Sequence, residues 1–65
     1  MWVEFMTVRN AYVAETWTEI FAAEGLSVRV IPPIGRGEKA SMRDARTLYV
    51  PTGKAHVARE ILRKI

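Results

Sequence analysis

The feature that most constrains the fold is a helix predicted over residues 11–24, because signals for both of its ends are present. Asn10 is a favoured N-cap residue whose side chain can accept a hydrogen bond from the first helical turn. Gly25 can adopt the left-handed conformation that ends many helices, and Leu26 can make the apolar contact that often follows. Apolar residues recur between these ends at three- and four-residue steps, namely Val13, Ala14, Trp17, Ile20 and Phe21. This spacing predicts an amphipathic helix with one side in a core.

Short runs of β-branched and aromatic residues predict three strands, over residues 2–8, 27–31 and 46–50. Pro32 and Pro51 follow the second and third strands, and proline cannot donate to a strand ladder. A second helix is predicted after Thr52, which can cap it. The apolar stripe of this helix consists of Ala55, Ala58, Ile61, Leu62 and Ile65.

The order β-α-β-β-α predicts a single α+β domain over residues 1–65, a two-layer βαββα sandwich of the ferredoxin-like type that lacks the fourth strand. A crossover through the first helix makes the first two strands parallel, either as neighbours or on both sides of the third. One sheet edge is then open. A chain of 65 residues without cysteine has no disulfides and a small core, so we expect a second copy or a partner chain.

Two passages of the chain resemble a known family. They are Phe-Ala-Ala-Glu-Gly-Leu-Ser-Val at residues 21–28, and Leu-Tyr-Val-Pro at residues 48–51 followed by Lys-Ala-His-Val-Ala-Arg-Glu-Ile-Leu at residues 54–62. Both are similar to passages in a family of small prokaryotic signal-transducing proteins, and the resemblance implies a βαββα fold with a regulatory or adaptor role. A weaker similarity links the chain to small sulfur- or selenium-carrier-like proteins. Those carry a cysteine in the loop after the second strand, and residues 34–45 contain none, so the carrier chemistry does not transfer.

The first strand has apolar side chains at both alternating sets of positions, which predicts a cover on each face of the sheet. Strict alternation places four large apolar residues on the face opposite Val28 and Val30, together with Arg29. Aromatic residues, methionine and arginine are enriched at the centres of protein interfaces. We therefore predict a protein-binding surface, for a protein partner or a homo-oligomer, made of Trp2, Met6, Arg29, Ile31 and Tyr49. The corresponding function is a non-catalytic adaptor, regulator or accessory subunit of a larger complex that docks through this face and the open sheet edge.

A second hypothesis is a small signal-transduction domain that senses an anion or a nucleotide through the loop over residues 34–45. Glycines let backbone amides turn toward an anion, and basic side chains add charge-assisted hydrogen bonds. Neither the phosphate-loop spacing nor the dinucleotide fingerprint is present. The residues concerned are Gly35, Arg36, Gly37, Lys39 and Arg43.

A third hypothesis, single-stranded nucleic-acid binding, ranks last. Residues 25–65 carry a net charge of +6 against −3 for residues 1–24, and a basic half can attract phosphates. Trp2 and Tyr49 with Arg29 and Arg46 could form a base-stacking platform. The ribonucleoprotein signature is missing from residues 46–50.

No catalytic constellation is recognisable, so we do not expect an enzyme. His56 is the single histidine and there is no cysteine, which leaves no set of metal ligands and no nucleophilic triad. We expect no cofactor and no metal. The apolar start of the chain is interrupted by Glu4 and is shorter than the roughly 18 residues of a membrane span, so the expected location is the cytoplasm.

Overall fold

Two helices and a three-stranded sheet form the protein in a computed structural model that describes residues 1–32 and 41–65. The elements follow the predicted order. They are strand β1 (Trp2–Val8), helix α1 (Ala11–Ala23), strand β2 (Arg29–Ile31), strand β3 (Arg46–Pro51) and helix α2 (Ala55–Arg63), with a short 3-10 turn (Thr52–Lys54) before α2.

Strand β3 is the centre of the sheet, whose order is β1-β3-β2. Both outer strands run antiparallel to β3, so β1 and β2 are parallel to each other on its two sides. This arrangement confirms the α+β βαββα fold. It also decides between the two placements that the sequence left open, because β1 and β2 flank β3 instead of pairing with each other. The order is that of a ferredoxin-like sheet without its fourth strand.

Both predicted ends of α1 are confirmed. The Asn10 side-chain oxygen accepts a hydrogen bond from the Val13 N–H at 2.9 Å. Gly25 has a φ of 83°, its N–H donates to the Ala22 carbonyl, and the Leu26 N–H donates to the Phe21 carbonyl, both at 2.9 Å. These two bonds form a Schellman motif, which satisfies carbonyls that the helix itself leaves without a partner. The motif also turns Leu26 into the core, where it is buried.

The core lies between β3 and the two helices. Leu48 and Val50 point from the central strand toward the helices and are fully buried, as is Phe21 of α1. The Phe21 ring meets Phe5 edge-on at 5.9 Å and stacks on Trp17 at 5.7 Å, both favoured aromatic geometries. The remaining buried apolar residues are Val8, Ala14, Leu26, Ala58 and Ile61.

The second helix differs from its prediction at both ends. Thr52 does not cap it, since its N–H and its hydroxyl both donate to the Met1 carbonyl, at 2.8 and 3.1 Å. This contact joins the end of β3 to the start of the chain. At the other end, Leu62 and Ile65 are 37% and 69% exposed, whereas Val57 packs against the core. Ala55, Ala58 and Ile61 of the predicted stripe are at the core as expected, and Val57 packs there instead of Leu62 and Ile65.

A β-bulge changes the faces of β1. Val3 and Glu4 are opposite Val50 and Tyr49, but the next pair joins Met6 to Leu48, so the register shifts at Phe5. The extra residue of a bulge interrupts the alternation of side chains between the two faces. As a result Met6 lies on the helix side of the sheet and packs against the core. The placement of Met6 on the opposite face, which strict alternation predicts, is wrong for this reason.

Candidate partner-binding surface

The sheet face opposite α1 and α2 is here called the outer face. According to the strand register, its residues alternate with those that point to the helix side, such as Leu48 and Val50. None of them belongs to the buried core. They range from half-buried to exposed. They are Trp2, Glu4, Thr7, Arg29, Ile31, Thr47, Tyr49 and Pro51.

The register arranges most of these residues in rows across the three strands. Glu4, Tyr49 and Arg29 form one row, with Tyr49 between the other two in the strand register. A second row contains Thr7, Thr47 and Ile31, and the two threonine hydroxyls approach to 3.4 Å. Residues that share a row and a face are close enough for their side chains to interact. The outer face is therefore one continuous surface made by all three strands.

A cation–π contact connects the two edges of the outer face. The guanidinium carbon of Arg29 lies 4.5 Å from the centre of the Trp2 ring. Arg29 belongs to β2 and Trp2 to β1, so the arginine side chain reaches across the central strand. A guanidinium over a tryptophan ring is held by the ring quadrupole. The contact orders two long side chains of the candidate surface.

The structure brings together four of the five residues that we predicted to bind a partner. Trp2, Arg29, Ile31 and Tyr49 lie on the outer face, and Ile31 is 41% exposed. Met6 is the exception, because the bulge turns it toward the helices. β1 contains no proline and no turn residue that would indicate a bulge. The alternation of apolar and polar residues does not predict one either. The binding role of the four residues stays a prediction.

Arg46 does not contribute to this surface. It is buried on the helix side of the sheet opposite Val8, and its guanidinium donates to three backbone carbonyls. The acceptors are Asp44 at 2.7 Å, Ala45 at 3.2 Å and Ser41 at 2.9 Å. These bonds satisfy the buried charge and fix the turn that precedes β3. The stacking platform predicted to use Arg46 is therefore missing one of its two cations.

Four of the five residues predicted to bind an anion lie outside the described residues. This applies to Gly35, Arg36, Gly37 and Lys39. Arg43 is described and is exposed, and its backbone N–H donates to the Ser41 hydroxyl at 3.1 Å. This bond belongs to the turn before β3. Anion binding by this loop stays a prediction.

A groove of about 440 Å³ lies away from the outer face, between α1 and the segment that leads into β2. Its lining contains none of the residues predicted to bind a partner, and consists of Thr18, Ala22, Gly25, Leu26, Ser27 and Val28. Over residues 1–32 and 41–65, no three acidic or histidine side chains are grouped so that they could hold a metal ion. In the same residues, neither helix has the length and apolar character needed to cross a membrane.

Comparison of the chain with models of protein families, with curated proteins and with solved structures finds no match. The resemblance to small prokaryotic signal-transducing proteins thus stays a prediction.

Proposed function

We propose that the protein is a non-catalytic protein-binding module, acting as an adaptor, a regulator or an accessory subunit, and that it docks through its outer face. One observation carries the proposal. Trp2, Arg29, Ile31 and Tyr49 come from three strands and share the sheet face that the helices do not cover. Tryptophan, tyrosine and arginine are the side chains that most often dominate binding energy at protein interfaces.

The cation–π contact prepares this face for binding. Tryptophan and arginine side chains lose conformational freedom when an interface forms, and that loss opposes association. Here Arg29 is already held 4.5 Å above the Trp2 ring. Part of the ordering is therefore complete before a partner arrives, and the pair offers a flat surface with one charged group.

The charge of the outer face favours a protein partner over a nucleic acid. Glu4 contributes one carboxylate and Arg29 one guanidinium, so the face has no net charge. Nucleic-acid binding depends on several cations that neutralise phosphates. Arg46, the second cation expected there, donates instead to backbone carbonyls in the interior.

The face is a better docking site than the edge of β1. Within the described residues, β1 has a strand neighbour on one side, which is β3. An open edge can accept a strand from another chain, but bulges are among the devices that make an edge unsuitable for pairing. The bulge at Phe5 distorts the middle of this seven-residue strand. Strand addition along β1 would therefore be interrupted at its centre.

Photo-crosslinking in living cells tests the proposal. A benzoylphenylalanine residue replaces Tyr49 at the centre of the outer face, and the matched control replaces Tyr12, which is 62% exposed on α1. We expect a discrete protein adduct from position 49 and none from position 12. Equal labelling from both positions, or no adduct from position 49, would contradict docking through the outer face.

A further inference from the structure

We infer that the partner of the outer face is a second copy of this chain, held by two equivalent contacts between Glu4 of one copy and Arg29 of the other. The inference rests on the proposed function and specifies its partner. It follows from one property of the face: its charges are arranged so that two copies of the face can complement each other.

The outer face carries one acidic and one basic group, and they do not neutralise each other. Glu4 forms no ion pair with any residue of 1–32 or 41–65. The Arg29 guanidinium is directed to the Trp2 ring instead. Trp2 precedes Glu4 by two residues on the same face of β1, a separation of about 7 Å along a strand. The face thus presents a cation and an anion side by side.

A two-fold axis brings these groups together in pairs. The outer faces of the two copies face each other, and the axis lies between them. It runs perpendicular to the strands and passes midway between Trp2 and Glu4. Rotation then puts the guanidinium above Trp2 opposite Glu4 of the second copy, and the same contact forms again by symmetry. A partner with a purely acidic or purely basic surface would satisfy one of the two charges and oppose the other.

The same rotation matches the apolar part of the face. Pro51 and Tyr49 are the β3 neighbours of Trp2 and Glu4. The axis that exchanges Trp2 with Glu4 also places Pro51 of one copy against Tyr49 of the other. Each tyrosine ring then covers a proline ring beside an ion pair. The central strand and the edge strand therefore favour the same arrangement.

The association is expected to be weak and dependent on concentration. Three short strands offer less than the roughly 800 Å² per partner of a standard interface. Each copy also has a net charge of +3, which opposes association at long range. We therefore expect a dimer that forms in the micromolar range or above and dissociates on dilution.

Charge reversal tests the inference by sedimentation equilibrium. Glu4→Arg places two cations against each other in both contacts, and Arg29→Glu places two anions there. Like charges brought together at an interface are strongly unfavourable, so each variant alone should dimerise at least about tenfold more weakly than the original chain. An equimolar mixture of the two variants should dimerise again, because each contact then joins opposite charges. This recovery also shows that both variants are folded.

Glu15→Arg is the matched control, since Glu15 is an exposed carboxylate on α1, away from the outer face. It makes the same change in net charge as Glu4→Arg, so it measures the long-range effect of charge alone, and it should weaken dimerisation much less than Glu4→Arg does. The inference is overturned if the original chain is monomeric at millimolar concentration, if Glu4→Arg dimerises as the original does, or if the mixture does not recover.

The crosslinking experiment separates this inference from the proposed function. The two-fold axis places position 49 against Pro51 of the other copy, so an adduct of about twice 7.4 kDa from position 49 agrees with a second copy. An adduct with a different protein supports docking through the outer face and overturns the second copy as its occupant. Absence of any adduct at position 49 counts against both.

Discussion

Replacement of Gly25 by alanine measures the contribution of one backbone conformation to the stability of the fold. Gly25 has a φ of 83°, a region that L-residues other than glycine rarely adopt. A Cβ at this position would meet no atom within 4 Å, so no steric clash with the rest of the protein adds to the cost. The loss should therefore equal the penalty of the left-handed conformation, about 1 kcal/mol. For a domain of this size that loss lowers Tm by roughly 4–8 °C.

Gly53 supplies the matched control. A Cβ there also meets nothing within 4 Å, but its φ is not positive. Gly53→Ala should therefore leave the free energy of unfolding unchanged, or raise it slightly by restricting the unfolded chain. D-alanine at position 25, introduced by chemical synthesis, favours a positive φ. It should raise the free energy of unfolding by about 0.4–1 kcal/mol relative to glycine.

Urea unfolding followed by circular dichroism measures all three variants at one protein concentration, because association would add to the apparent stability. Equal losses for Gly25→Ala and Gly53→Ala would refute the reasoning. So would a D-alanine variant that is as unstable as the L-alanine variant. In either case the conformation at the end of α1 could not be the origin of the effect.

Three further predictions concern the cap, the bulge and the cation–π pair. Asn10→Ala removes the side-chain acceptor for the Val13 N–H and should cost about 1 kcal/mol in thermal unfolding, with Asn10→Ser retaining most of the stability. Met6→Ser should lower the free energy of unfolding by about 1–3 kcal/mol, because Met6 packs against the core. Thr7→Ser on the outer face should lower it by less than about 0.5 kcal/mol, and similar losses for the two variants would argue against the shifted register. A double-mutant cycle with Trp2→Leu and Arg29→Met should give a coupling energy of about 0.5–1 kcal/mol, and a value near zero would mean that the contact is not formed in solution.

The placement of the candidate site residues could be predicted in outline because three of the four that lie on the outer face follow simple alternation. Arg29 and Ile31 alternate with Val30 on β2, and Tyr49 alternates with Leu48 on β3. Neither strand contains an irregularity within the described register, so the period of two holds along both. Trp2 is also placed correctly, since it precedes the bulge of β1.

Met6 and Arg46 could not be placed in the same way. The face of Met6 depends on the extra residue in β1. This bulge arises because the two halves of β1 pair with β3 in registers that differ by one residue. The burial of Arg46 depends on carbonyls of residues 41–45 that come together at the end of the sheet. Both positions are determined by contacts with backbone that the fold brings close. A pattern of neighbouring residues in the sequence does not predict such contacts.

Local rules in the sequence were sufficient for α1, its two ends and the order of the elements. An N-cap side chain, a glycine at the left-handed position and an apolar period of three to four act within a few residues of each other. The tertiary structure alone decided that β3 separates β1 from β2, that Phe5 forms a bulge, and that Arg29 reaches Trp2 across the sheet. Strand order, register and contacts between the sheet edges involve residues that are far apart in the chain. The free energy of one arrangement relative to another therefore depends on the whole sheet packed against its helices.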